Sequence, residues 1–120
     1  MSLEVQILGV DAPLSIKAVG PYSLAGLYDL FDRVKEESEK RGAQAVIIDI
    51  SEVAGTIPIT DMYMLGVYCY RVLKSSIRIA IIFPDGGANK FLENVTRNRG
   101  LRVAVVPNYG AATKWVNRDQ

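Results

Sequence analysis

The chain has no histidine in 120 residues. That absence removes Ser-His-Asp and Cys-His relays, in which an imidazole carries the proton near neutral pH, and it removes the commonest nitrogen ligand of zinc and haem. Only one cysteine is present, Cys69, so no disulfide forms within the chain. A lone thiol fits a reducing compartment, and the cytoplasm is the expected location. No basic leader precedes an apolar segment, and no apolar run approaches the roughly 18 residues of a membrane-crossing helix, so neither an export signal nor a membrane span is expected. Excess charge is also missing: 14 Lys and Arg against 13 Asp and Glu leave a net charge of +1. So weak a net field gives no general attraction to phosphate backbones, and a nucleic-acid partner is not expected.

Apolar residues make up 49% of the chain. At this length they suffice for a core without metal or disulfide, and the lack of any Pro/Gly/Ser-rich linker makes residues 1–120 one domain. Val5 and Ile7 alternate with Glu4 and Gln6, and Leu14, Ile16 and Ala18 alternate with Ser15 and Lys17. This is the period of half-exposed strands, with residues 9–13 as the connecting loop. From Ser23, an N-cap residue, Leu24, Leu27, Phe31 and Val34 recur at helical spacing up to Gly42. Glu36–Lys40 and Glu37–Arg41 are four-residue pairs on the expected solvent face of that helix, each contributing a few tenths of a kcal/mol.

Residues 45–50 and 77–83 are nearly unbroken β-branched apolar runs, the mark of strands covered on both faces. Helices are predicted over 60–74, 88–98 and 109–116, and a last buried strand over 101–106. The order β-β-α-β-α-β-α-β-α predicts an α/β fold, a mixed five-stranded sheet with helices packed on it through right-handed crossovers.

In such a sheet the loops leaving the carboxyl ends of the strands gather on one edge, where ligands and partners bind. That edge comprises residues 51–60, 84–89 and 107–110. The first is expected to be the longest connection in the chain, which makes Thr56, Thr60 and Asp61 candidate binding residues. Thr60 reads as a helix N-cap with Asp61 facing the positive end of the helix, or alternatively as an exposed hydroxyl open to phosphorylation. Asp85, Gly86 and Gly87 read as a capping turn, with an anion-accepting loop as the alternative. Arg97 and Arg99, near Gly100, read as a polar helix end, or as a grip on an acidic group of a partner.

Three apolar stripes wrap the helix over 60–74: Met62, Leu65, Cys69 and Val72; Tyr63, Val67 and Tyr70; Met64 with Tyr68. A two-layer domain has difficulty enclosing them all, so Tyr63 and Met64 are expected at a partner or self-association surface. Cys69, in mid-stripe, reads as an inert core thiol.

The stretch Ile48, Asp49, Ile50, Ser51, Glu52, Val53, followed by a loop into Thr60, Asp61 and Met62, resembles the STAS family, the domain of sulfate transporters and anti-sigma factor antagonists. In that family a strand ends in Asp-Leu-Ser-x-Val, and a phosphorylatable Asp-Ser-Ser-Gly opens the next helix. The resemblance covers residues 4–117 in element order, within an uncharacterised bacterial STAS-like branch. Here Thr60 followed by Asp61 stands where the family has its serine, and the loop from Val53 is longer. The resemblance implies a bacterial regulatory module that binds a protein partner through the Thr60 helix and its neighbouring loops. The missing histidine and the core position of Cys69 make catalysis unexpected, no cofactor or metal is expected, and the apolar helix makes a homo-oligomer an alternative. The architecture also looks similar to lipid carriers of the CRAL-TRIO kind, which makes a small hydrophobic ligand beneath the aromatic helix the alternative. A metal-dependent hydrolase using Asp49, Asp61 and Asp85 is the third reading, with no spacing motif behind it.

Overall fold

Strict alternation in the first two segments produces a hairpin. In the computed structural model, which describes residues 3–9, 13–73, 77–83, 97 and 100–117, β1 (Glu4–Gly9) runs antiparallel to β2 (Leu14–Pro21). Val5 faces Ala18 and Ile7 faces Ile16, so the apolar members of both strands share one side.

Helix α1 (Leu24–Arg41) starts where the sequence places it. The Ser23 hydroxyl accepts the Gly26 N–H at 3.1 Å, and Gly42 closes the helix with φ of 63°, a left-handed conformation that suits a residue without Cβ. Its N–H donates to Glu39 O, and the next N–H, of Ala43, donates to Ser38 O. Of the two side-chain pairs expected on α1, Glu37–Arg41 forms, at 3.0 Å, but its setting differs. Lys35 pairs with Glu39, and Glu37 is 5% exposed, not on the solvent face, with Arg33 and Arg41 on either side of it. The two arginine side chains close over the carboxylate.

Strand β3 (Ala45–Ala54) is the longest in the sheet and extends four residues beyond the apolar run. The extension pairs with the end of β2, because Val19, Gly20 and Pro21 meet Glu52, Val53 and Ala54. Only residues 55–58 then connect to α2 (Ile59–Val72), so the long loop expected over 51–60 is shortened to four residues, with 51–54 in strand and 59–60 in helix. Strands β4 (Arg78–Ile82) and β5 (Arg102–Val106) follow, with α3 (Tyr109–Val116) spanning the residues its sequence predicts. Asn108 caps α3, accepting the Ala111 N–H at 2.9 Å. The helix expected over 88–98 and the Asp85–Gly86–Gly87 turn lie outside the described residues, apart from Arg97, which is helical.

The strands lie in sequence order, with β2 to β5 parallel and β1 antiparallel. This is the expected mixed five-stranded α/β sheet. Right-handed crossovers between neighbours in such an order put successive helices on one face. Accordingly α1 and α2 pack together over the face carrying Ile16, Val46, Ile48, Ile79, Ile81 and Val103. The other face carries Ile47, Ala80 and Ile82, and α3 covers it through Ala112 and Val116. Because α3 lies over β3, β4 and β5, Glu4, Gln6 and Leu8 of β1 remain exposed.

Candidate functional site

Helix α2 is positioned from its first turn. Pro58 is the N-cap residue, with φ of −60° and extended ψ, and its carbonyl accepts the Met62 N–H at 3.0 Å. Proline brings no capping side chain, and Thr60, expected as the cap, is instead the second residue of the helix and exposed. Asp61 does lie in the first turn, where a carboxylate meets the positive end of the helix. It also accepts the Tyr22 phenol at 2.6 Å. Tyr22 follows β2, and its own N–H donates to Ala54 O at the end of β3. One residue thus ties both strand ends to the start of α2. Burial, and then the hydrogen bond to Asp61, push the Tyr22 phenol well above its ordinary pKa, so it stays a donor. Within the connection Ile57 is buried while Thr56 is exposed.

Of the three apolar stripes on α2, one is buried. Met62, Leu65, Gly66 and Cys69 face the core, and burial pushes the Cys69 thiol up to about 12, which removes it as a nucleophile near neutral pH. The outward residues Tyr63, Met64 and Tyr70 are 46%, 44% and 47% exposed. Tyr63 and Met64 border an open groove of about 290 Å³ between α1 and α2, completed by Tyr28, Val67, Tyr68 and Arg71. Its inner wall is joined across the two helices. The rings of Tyr28 and Tyr68 are 4.3 Å apart between centroids and tilted by 31°, and the Tyr68 hydroxyl donates to Asp32 of α1. That hydrogen bond, with burial, raises the Tyr68 pKa. The groove therefore offers aromatic faces, a thioether and one guanidinium. These groups suit it to binding.

A second polar cluster lies on the other face of the sheet. Between the pairs Lys17–Asp49 and Val19–Glu52, β2 advances two residues and β3 advances three, so β3 carries a bulge at Ile50 and Ser51. The extra residue flips the alternation and brings both Asp49 and Glu52 to the side of Lys17. Glu52 pairs with Lys17, and Asp49 accepts the Ser51 N–H at 2.9 Å, filling the bond that the bulge opens. Tyr109 of α3 hydrogen-bonds Ser15 beside them, which buries Ser15 on a strand face expected to be half-exposed. Burial raises the Tyr109 pKa, the Asp49 charge adds to the rise, and Lys17 opposes it.

The sheet also separates carboxylates proposed to act together. Asp49 faces the α3 side and is 6% exposed, whereas Asp61 sits on α2 against Tyr22. They do not converge, and among the described residues no three His, Cys, Asp or Glu side chains are placed to hold a metal ion. Of the residues expected at the site, Tyr63 and Met64 line the groove, Thr60 and Asp61 stand in the first turn of the same helix, Thr56 is exposed in the connection before it, and Asp85, Gly86 and Gly87 lie outside the described residues. Tyr28 and Tyr68 had a faint signal. Tyr28 stands one position past the Leu27 stripe of α1, where an aromatic ring on an otherwise charged flank marks a contact with a neighbour. No family model matches the chain, and no curated protein matches it.

Proposed function

We propose that this chain is a non-catalytic regulatory module of the STAS-like kind that binds a protein partner through the outward face of α2 and the connection before it. The observation that carries the reading is the surplus of α2. One stripe satisfies the core, while Tyr63 and Met64 remain outside beside a groove whose wall is held by the Tyr28–Tyr68 pair and the Asp32 hydrogen bond. Large aromatic and methionine surface next to a single guanidinium is the composition of an interface centre, and it fits a segment that presents an apolar anchor together with a carboxylate for Arg71. The exposed hydroxyl of Thr60 at the edge of this surface gives a place where a phosphate would change the charge the partner meets.

The test is affinity capture from the native host, followed by titration of the captured protein against purified variants. Truncating a central interface tyrosine costs about 2 kcal/mol or more, so Tyr63→Ala is expected to weaken binding by about thirtyfold. Thr60→Glu, by adding charge at the rim, is expected to change affinity as well. A captured partner that binds wild type, Tyr63→Ala and Thr60→Glu equally would end this reading. Native mass spectrometry of the purified chain adds a separate arm, because a co-purifying small molecule retained in wild type and lost in Met64→Asp would favour a carrier.

A further inference from the structure

The near-neutral charge of the chain conceals a division. Residues 1–73 hold ten carboxylates and six cations, whereas residues 74–120 hold eight cations and three carboxylates. Because the strands lie in sequence order, the division becomes spatial. Strands β1 to β3 with α1 and α2 form an acidic part, and β4, β5 and α3 form a basic one. The described residues of the basic part include Arg78, Arg97, Arg102 and Lys114, and no carboxylate.

On the α3 side of that basic part an open groove of about 490 Å³ runs between β5 and α3. Ala104, Val106 and Ala111 floor it, Trp115 forms a wall and Lys114 stands at the rim. Arg102 shares the strand face of Ala104 and Val106, since alternate residues of a strand point the same way. Trp115 is fixed in place: its indole Nε1 donates to Ile79 O at 2.9 Å, and the guanidinium groups of Arg78 and Arg97 lie 4.8 and 5.3 Å from its ring centroid.

We infer that this groove binds a soluble amphipathic anion, with a slender acyl-type body along Ala104, Val106, Ala111 and Trp115 and a carboxylate head toward Lys114. The apolar floor takes the body, and the cationic surroundings select and attract the head. The volume falls within the roughly 300–1,000 Å³ of small-molecule sites. A nucleic acid fits less well, because it needs open aromatic faces and a continuous phosphate track. Here guanidinium groups stack on the ring, and the floor is alanine and valine. The site is separate from the α2 surface and lies on the opposite face of the sheet.

The chain has one tryptophan, so Trp115 emission reports directly on this groove. Purified protein is titrated with dodecanoate at monomer concentrations, with dodecanol as the uncharged probe. A saturable blue shift is expected with dodecanoate, and binding about fivefold weaker with dodecanol. Reversing the rim charge in Lys114→Glu is expected to weaken dodecanoate about tenfold, and Ala111→Leu, which fills the floor, to abolish the shift. Circular dichroism establishes that both variants fold. No saturable shift with dodecanoate, equal affinity for dodecanol, or wild-type binding by folded Ala111→Leu would each overturn the inference. Co-sedimentation with phosphatidylglycerol vesicles but no response to monomeric dodecanoate would assign the basic part to a membrane surface and overturn it too. Met64→Asp, on the α2 groove, is expected to bind dodecanoate normally; loss of the shift there with retention in Ala111→Leu would move the site to α2.

Discussion

Glu37 shows how a side chain read as a solvent-facing helix charge becomes part of the structure. Burial by itself pushes its carboxyl up, but the hydrogen bond from Arg41 and the charges of Arg41, Lys40 and Arg33 outweigh it, and the pKa lies below the ordinary value of 4.5. A carboxyl held low in the folded state stabilises the fold above its unfolded value, and that contribution disappears as the pH falls through the lowered one. Glu37→Gln is therefore expected to be less stable than wild type at neutral pH, with the difference shrinking as the pH falls below the ordinary value of 4.5 and vanishing once it has passed the lowered one. Urea unfolding of both proteins across that range measures it. Asp49 is a second residue whose meaning depends on its surroundings. In sequence it looks like an acid available for chemistry, yet in the fold it accepts the backbone N–H that a bulge in β3 exposes.

At the scale of elements, the boundaries of α1 and α3 are legible because their caps are local. Ser23, Gly42 and Asn108 each act on backbone groups within a few residues. The start of α2 is less legible, since Pro58 ends the preceding extended segment without offering a capping hydroxyl, and Thr60 draws attention two residues too late. What holds α2 there is Tyr22, thirty-nine residues from its partner Asp61. Tyr22→Phe keeps the packing and removes that hydrogen bond, at an expected cost of about 1 kcal/mol. Hydrogen exchange is expected to accelerate at the first turn of α2 in that variant while the amides of α1 hold their protection; equal protection in both helices would show that the bond is not what anchors α2. The length of β3 was hidden for a related reason. Its last three residues are held by β2, a strand separated from them in the chain by the whole of α1.

For the whole molecule, the sheet separates two grooves. The α1–α2 face carries an aromatic groove in the acidic part, and the α3 face carries an apolar groove in the basic part. Separation of this kind lets one surface vary without unfolding the domain. Tyr63→Ala with Met64→Ala is expected to shift the free energy of unfolding by no more than about 0.5 kcal/mol, as for surface positions away from special features. A thermal or urea transition equal to that of wild type checks it. A large loss would mean that these side chains support the fold and would count against them as a binding surface.

The order of elements, the covered strands and the aromatic surplus of α2 follow from the sequence by itself, because periodicity and capping act over a few residues and do not depend on what lies opposite. Tertiary structure alone decided that Asp49 and Asp61 lie apart, that Tyr28 and Tyr68 close a groove with Tyr63 and Met64, and that an evenly charged chain folds with acidic and basic ends. Those outcomes depend on which strands neighbour one another and on a one-residue bulge that reverses the faces of β3. Both are settled only when distant segments pair.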